Sequence, residues 1–242
     1  MADLSKLREL VAQSCRVLGK LNLTKEPSGH VSARVPGEDK VLIKARGPEE
    51  SGLRFVTARD VITVDFAGKK LAGDDGLDVP QEVFIHTWLY KTRPDVQCVV
   101  HVHPLTVVLF TICGKPLQPL FGAYDPSGLR LLVEGLATYP RSITVSNEKL
   151  GEEFAQAMGN KSACLMRGHG ITSAGPAVED ATLTAIKLND AAVINYQASL
   201  LGTPQPIAQE DIEILVGKSR TSGKAVHATS NWRYYCKLLD EE

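Results

Sequence analysis

Three histidines and one glutamate carry the chemistry this sequence can do. His101-Val102-His103-Pro104 places two imidazoles two residues apart. On a strand such residues share a face, so both rings can meet one cation where Pro104 ends the pairing. Taken alone, the pair fits two polar strand-end histidines as well as half of a metal site. Met166-Arg167-Gly168-His169-Gly170-Ile171 supplies a third imidazole after an apolar strand. Its flanking glycines let the backbone come close to an ion or ligand. Three neutral imidazoles leave coordination positions open for water or substrate, the pattern of a reactive rather than a structural metal site. Zn2+ suits them, and Mn2+, Co2+ or Fe2+ with further oxygen ligands is equally compatible. Glu82 falls in the first turn of a helix predicted from Gln81 to about Lys91, just before the HxHP strand. A carboxylate there serves either the helix dipole or proton transfer to a substrate. His86 shares its helical face and reads as a hydrogen-bonding partner.

The elements that must position these residues follow from spacing. Apolar residues from Leu4 to Leu21 recur at helical intervals. Short strands are predicted at 31–35, 41–44 and 61–66, with turns at 36–39 and 67–70. Pro80 opens the helix that carries Glu82, and 92–95 stops it. A buried strand over 96–103 delivers the two histidines, and a helix over 105–112 follows. Beyond it the pattern predicts a strand at 143–145, a helix at 148–158, a strand at 163–166, a long Ala-rich helix over 177–201 and a helix at 209–219. Strands and helices mix without regular βαβ alternation. The expected fold is an α/β sandwich with a central, largely antiparallel sheet and helices on both faces.

Composition narrows the function. The chain has 242 residues, 43% hydrophobic and 23% charged, which suits one domain with a sizeable core. Lys and Arg number 27 against 28 Asp and Glu, so bulk electrostatic binding of nucleic acid is not expected. Mean hydropathy is −0.07. No apolar run approaches the ~20 residues of a membrane span, and no secretory leader is read at Met1–Lys6. Five scattered cysteines without a CxxC pair read as free, buried thiols of a cytoplasmic protein.

The motifs together resemble the class II aldolase/adducin family. They are Ser28-Gly29-His30-Val31-Ser32-Ala33-Arg34, Pro80-Gln81-Glu82 with His86, Tyr90-x-x-Arg93-Pro94-Asp95-Val96, His101-Val102-His103-Pro104, Arg167-Gly168-His169-Gly170, and Gly175 with Glu179-Asp180-Ala181. The resemblance runs over about residues 5 to 215. It implies one class II aldolase/adducin-like domain over 1–242, with a C-terminal tail from about 220, and a three-layer α/β/α fold. It implies a divalent metal on His101, His103 and His169, Glu82 as acid/base, and a homotetramer with active sites between subunits. Adducin-type domains without activity lack the metal histidines, which this chain keeps.

Departures from the sugar-phosphate members point to a different substrate. Where aldolases and epimerases of the family carry an Asn, a Thr-Gly loop and a Ser-Ser pair around phosphate, this chain has His30, Arg46-Gly47 and Pro80-Gln81. The pattern looks more like the decarboxylases of hydroxylated aromatic or pyridine dicarboxylates. Arg46 offers a planar fork for a carboxylate, and His30 a bond to a phenolic or carboxylate oxygen. Gly47 and Tyr124 complete the substrate-binding candidates, Tyr124 because it falls near a catalytic Tyr of aldolase relatives. The expected function is metal-dependent decarboxylation of a hydroxylated aromatic or heteroaromatic carboxylate. The alternative is a metal-dependent aldolase acting on a hydroxy-keto acid or sugar phosphate.

Overall fold

A computed structural model describes residues 4–218 and 224–241. In chain order its elements are α1 (Leu4–Lys20), β1 (His30–Arg34), β2 (Lys40–Lys44), β3 (Val61–Asp65), β4 (Lys70–Ala72), α2 (Val83–Thr92), β5 (Cys98–Val102), α3 (Leu105–Cys113), α4 (Pro126–Glu134), β6 (Ala137–Tyr139), α5 (Glu148–Met158), β7 (Ala163–Met166), β8 (Gly170–Gly175), α6 (Val178–Leu201), α7 (Gln209–Lys218) and α8 (Lys224–Lys237). The strands form one sheet in the order β4-β3-β2-β1-β5-β8-β7-β6. Neighbours are antiparallel except β6 and β7, which run parallel.

Strand alternation divides the core in two. Val31, Ala33, Leu42, Cys98 and Val100 join α1 and α6 in one cluster. Val41, Ile43, Val99 and Ala174 join α2 and α5 in another. Because successive side chains of a strand point to opposite faces, helices cover the sheet from both sides. Every residue of β5 is buried. That explains its unbroken apolar run and puts anything at its end on a rigid support.

Several local expectations change. The helix bearing Glu82 begins at Val83, with Pro80–Glu82 forming a turn in which the Val83 N–H bonds the Pro80 carbonyl. The segment 143–145 is not a strand, because the Val145 N–H is spent on a Glu82 carboxylate oxygen. The neighbouring strand is β6 instead. β4, α4 and β8 were not anticipated. Yet α4 has clear start chemistry: Pro126 follows Asp125, whose side chain caps the Gly128 N–H. Cys15, Cys98 and Cys164 are buried free thiols as expected, whereas Cys113 is exposed. The aromatic tail lies in α8, and Trp232 packs into the cluster formed with α1 and α6.

Candidate metal centre

Three adjacent strands in the middle of the sheet assemble the site. His101 is fully buried near the end of β5. His103 lies one residue beyond the strand rather than within it, where Pro104 turns the chain into α3. The two Nε2 atoms still meet at 2.9 Å. His169 stands on the turn between β7 and β8. Gly168 holds φ +60 there, a left-handed conformation suited to glycine. At Gly170 a Cβ would fall 2.6 Å from His103 Cδ2 and against the Val102 carbonyl. Only a residue without a side chain lets the β5 end and the β7–β8 turn close around the rings.

Glu82, at the cap of α2, is 8% exposed. Its Oε1 accepts the Val145 N–H at 2.9 Å. Its Oε2 lies 3.3 Å from Nε2 of both His101 and His169. One ligand-capable atom from each of Glu82, His101, His103 and His169 falls within 4.8 Å of the others.

This donor set fits a divalent cation. His101 Nδ1 faces Thr172 Oγ1 at 3.2 Å, and that hydroxyl donates to Met166 Sδ. The hydroxyl therefore accepts from Nδ1–H, which leaves the His101 lone pair on Nε2, facing the cluster. Burial first, then the neighbouring His101 and His169, push His103 down to about 3, so it is a neutral imidazole. Burial alone would raise the Glu82 carboxyl. The Val145 N–H donated to Oε1 opposes this and favours the charged form, so the group stands as a carboxylate. His169 Nδ1 is buried without a hydrogen-bond partner among the described residues. Neutral imidazoles and a carboxylate suit an ion of the zinc or manganese kind.

Behind the cluster runs a buried polar ladder. His30 pairs with His101 across β1 and β5, and the two rings stack with centroids 5.1 Å apart. His30 Nδ1 is 2.6 Å from His86 Nε2, His86 Nδ1 is 2.6 Å from Ser32 Oγ, and Ser32 Oγ is 2.7 Å from Tyr90 OH. Burial, then His86 and His101, lower His30 well below its usual range. His86 is lowered to about 3 by burial and then by His101. Ser32 and Tyr90 stood in the quoted motifs without a role, and Thr172 and the Val145 N–H escaped the reading of the sequence. A signal for the first two was present: Ser32 shares the strand face of His30, and Tyr90 the helix face of His86.

The remaining candidates stand apart. Arg46 continues from β2, two strands from β5 and so about 10 Å across the sheet. Its side chain is 51% exposed and pairs with Asp78 at 2.7 Å. That contact holds the Asp78 carboxyl below its usual range. Arg46 and Gly47 line a cleft of about 420 Å³ that none of the four clustered residues reaches. Tyr124 is 81% exposed, edge-on to Phe121.

Comparisons with known proteins place the chain in a family. The Class II Aldolase and Adducin N-terminal domain matches residues 9–196. A 3,4-dihydroxyphthalate decarboxylase of Arthrobacter keyseri is 40% identical over 198 residues, 81% of this chain and 79% of its own. One from Terrabacter sp. (strain DBF63) is 39% identical over 86% of this chain and 88% of its own. Among solved structures, an aldolase II superfamily protein from Pseudomonas syringae superposes with a TM-score of 0.86 at 22% identity, over 99% of this chain and 94% of its own.

Proposed function

The chain belongs to the class II aldolase and adducin family, and from that premise we propose that it is a metal-dependent decarboxylase of a hydroxylated aromatic dicarboxylate, 3,4-dihydroxyphthalate or a close analogue. The observation that carries the reading is the convergence of three histidine Nε2 atoms and one Glu82 oxygen, in a chain 34–40% identical to three decarboxylases of that substrate.

Decarboxylation replaces a ring C–CO2− bond with C–H and consumes one proton overall. A divalent cation held by His101, His103 and His169 supplies a Lewis acid for the oxyanion. Glu82, held as a carboxylate, is a base before it is an acid. Its Oε1 is committed to Val145, so Oε2 takes the proton of the hydroxyl ortho to the departing carboxylate and returns it to the carbon bearing that carboxylate. The C–C bond then breaks, its electron pair restores the aromatic ring, carbon dioxide leaves and the phenolic oxygen recovers a proton from solvent. His30, beside the cluster, is the group for the retained carboxylate; Arg46, once its pair with Asp78 opens, Gly47 and Tyr124 are the candidates for substrate contact away from the cluster.

The two apolar clusters flanking the sheet support a three-layer α/β/α arrangement with the whole chain as one domain. A homotetramer with sites between subunits has support in α3. Leu105, Leu109 and Ile112 fall on one helical face and are 64%, 39% and 57% exposed. Five free thiols suit the cytoplasm. Among the described residues no helix is long and apolar enough to cross a membrane.

Incubating Mn2+- or Zn2+-loaded protein with 3,4-dihydroxyphthalate tests the reading. Carbon dioxide and 3,4-dihydroxybenzoate should appear in equal amounts. Cleavage of a sugar phosphate to an aldehyde, with the dicarboxylate untouched, would replace decarboxylation by aldol chemistry.

A further inference from the structure

The ladder behind the cluster has a direction, set by counting donors. Its members interleave from two elements: His30 and Ser32 from β1, His86 and Tyr90 from α2. His86, Ser32 and Tyr90 are 0–2% exposed and His30 is 7% exposed, so a donor left unmade there is costly. Two orders of the hydrogens are possible.

In one order, His30 Nδ1–H donates to His86 Nε2, His86 Nδ1–H to Ser32, and Ser32 to the Tyr90 oxygen. The Tyr90 hydroxyl hydrogen then has nowhere to go. Its side-chain partner among the described residues is Ser32, and the other group beside its oxygen is the Val99 backbone N–H, itself a donor. In the other order, Tyr90 O–H donates to Ser32 Oγ, Ser32 O–H to His86 Nδ1, and His86 Nε2–H to His30 Nδ1. Every buried hydrogen is then placed. Burial also pushes the Tyr90 phenol well above its usual range, so it keeps the proton it must donate.

We propose that Tyr90, Ser32 and His86 are positioning residues that lock His30 as the Nε2–H tautomer, a neutral hydrogen-bond donor for an anionic oxygen of the substrate. The histidines of the region thereby divide by polarity. His101, whose Nδ1–H goes to Thr172, turns a lone pair toward the cluster. His30 stacks on its ring and turns out an N–H instead. With no lone pair to offer, His30 is excluded as a metal ligand and as a general base. Its Nε2 has no hydrogen-bond partner among the described residues and is not closed off from solvent. The ligand it takes is an oxyanion, a carboxylate or phenolate, lying over the His101 side of the cluster. That this oxyanion belongs to an aromatic dicarboxylate rests on the function proposed above.

Histidine-selective 15N labelling of the Zn2+-loaded protein tests the assignment, since two-bond 1H–15N correlations separate the tautomers. His30 and His86, identified by the peaks lost in His30→Asn and His86→Gln, should both show a protonated Nε2 and a bare Nδ1. A protonated Nδ1 on His30, or a doubly protonated ring, overturns the proposal. Ser32→Ala leaves His86 Nδ1 with neither the hydroxyl that donates to it nor one that could accept from it. In that variant the His30 nitrogens should move to the averaged positions of a tautomer mixture, and KM for the dicarboxylate should rise about twofold with kcat and zinc content little changed. His30 nitrogens unmoved by Ser32→Ala would also overturn it. Adding phthalate to the wild type should shift the Nε2–H proton resonance downfield. If the tautomer is as stated but phthalate moves nothing, the donor stands and it is the decarboxylase reading that fails.

Discussion

The two sides of β1 are built in opposite ways. Toward β5, His101, His86, Ser32 and Thr172 are fully buried and each has a hydrogen-bond partner. Toward β2 and beyond, Arg46 is half exposed and closed on Asp78, in a cleft the clustered residues do not line. A buried polar group that loses its partner costs about 1–3 kcal/mol. An exposed ion pair contributes about 0–1 kcal/mol. The first region therefore exists only as a complete network, whereas the second can be exchanged residue by residue without threatening the fold. The candidate metal ligands thus belong to the core network, whereas Arg46 belongs to the surface.

The largest test of this contrast is Glu82→Gln. The amide oxygen can still accept the Val145 N–H, so metal content should stay near normal by elemental analysis. Turnover should fall about 10²- to 10⁴-fold; unchanged turnover would remove Glu82 from proton transfer. Next comes pH. His86 in the folded protein sits at about 3 against an ordinary 6.5. Between those values the unfolded chain binds a proton that the folded one refuses. Stability is thus full above pH 6.5 and declines as pH falls toward 3, by up to about 1.4 kcal/mol per pH unit for this one group. His86→Gln should flatten the slope of denaturant-derived stability against pH by about one proton, and an unchanged slope would mean the ring is charged in the fold.

A smaller effect is expected from Gly170→Ala. Its Cβ would meet His103 Cδ2 at 2.6 Å, displacing one ring. Metal affinity by calorimetric titration should weaken about 10- to 100-fold. Arg46→Ala should cost least. KM for the dicarboxylate should rise about tenfold, while stability stays within about 0.5 kcal/mol. A stability loss as large as that of a core residue would erase the contrast between the two regions.

The same contrast governs what the sequence disclosed. His101, His103 and His169 were legible because each sits in a short local pattern with Pro104 or glycines beside it. The main strands and helices were legible because each carries its own period. The ladder was not, since it forms only when β1 meets α2 and neither segment alone names its partner. β8, Gly170–Gly175, is short and bounded by glycines at both ends, and was not anticipated. The segment 143–145 looked like a strand, but its backbone went to a side chain from 63 residues earlier. Arg46 was read as a fork for a substrate carboxylate; within the chain that fork is closed on Asp78, which the sequence did not disclose.

The strand order has a kinetic consequence. His101 and Thr172 are 71 residues apart in the chain, and His30 meets His101 over a comparable span. Closing such spans costs chain entropy before any contact rewards it, so β1, β5 and β8 come together late in folding. A cation in solution finds only the local His101–His103 pair before the sheet closes, without Glu82 or His169. It should leave the refolding rate untouched and act entirely on the other limb of the chevron, slowing unfolding as its concentration rises. For this protein a metal would be a latch on the finished sheet and not a seed for it.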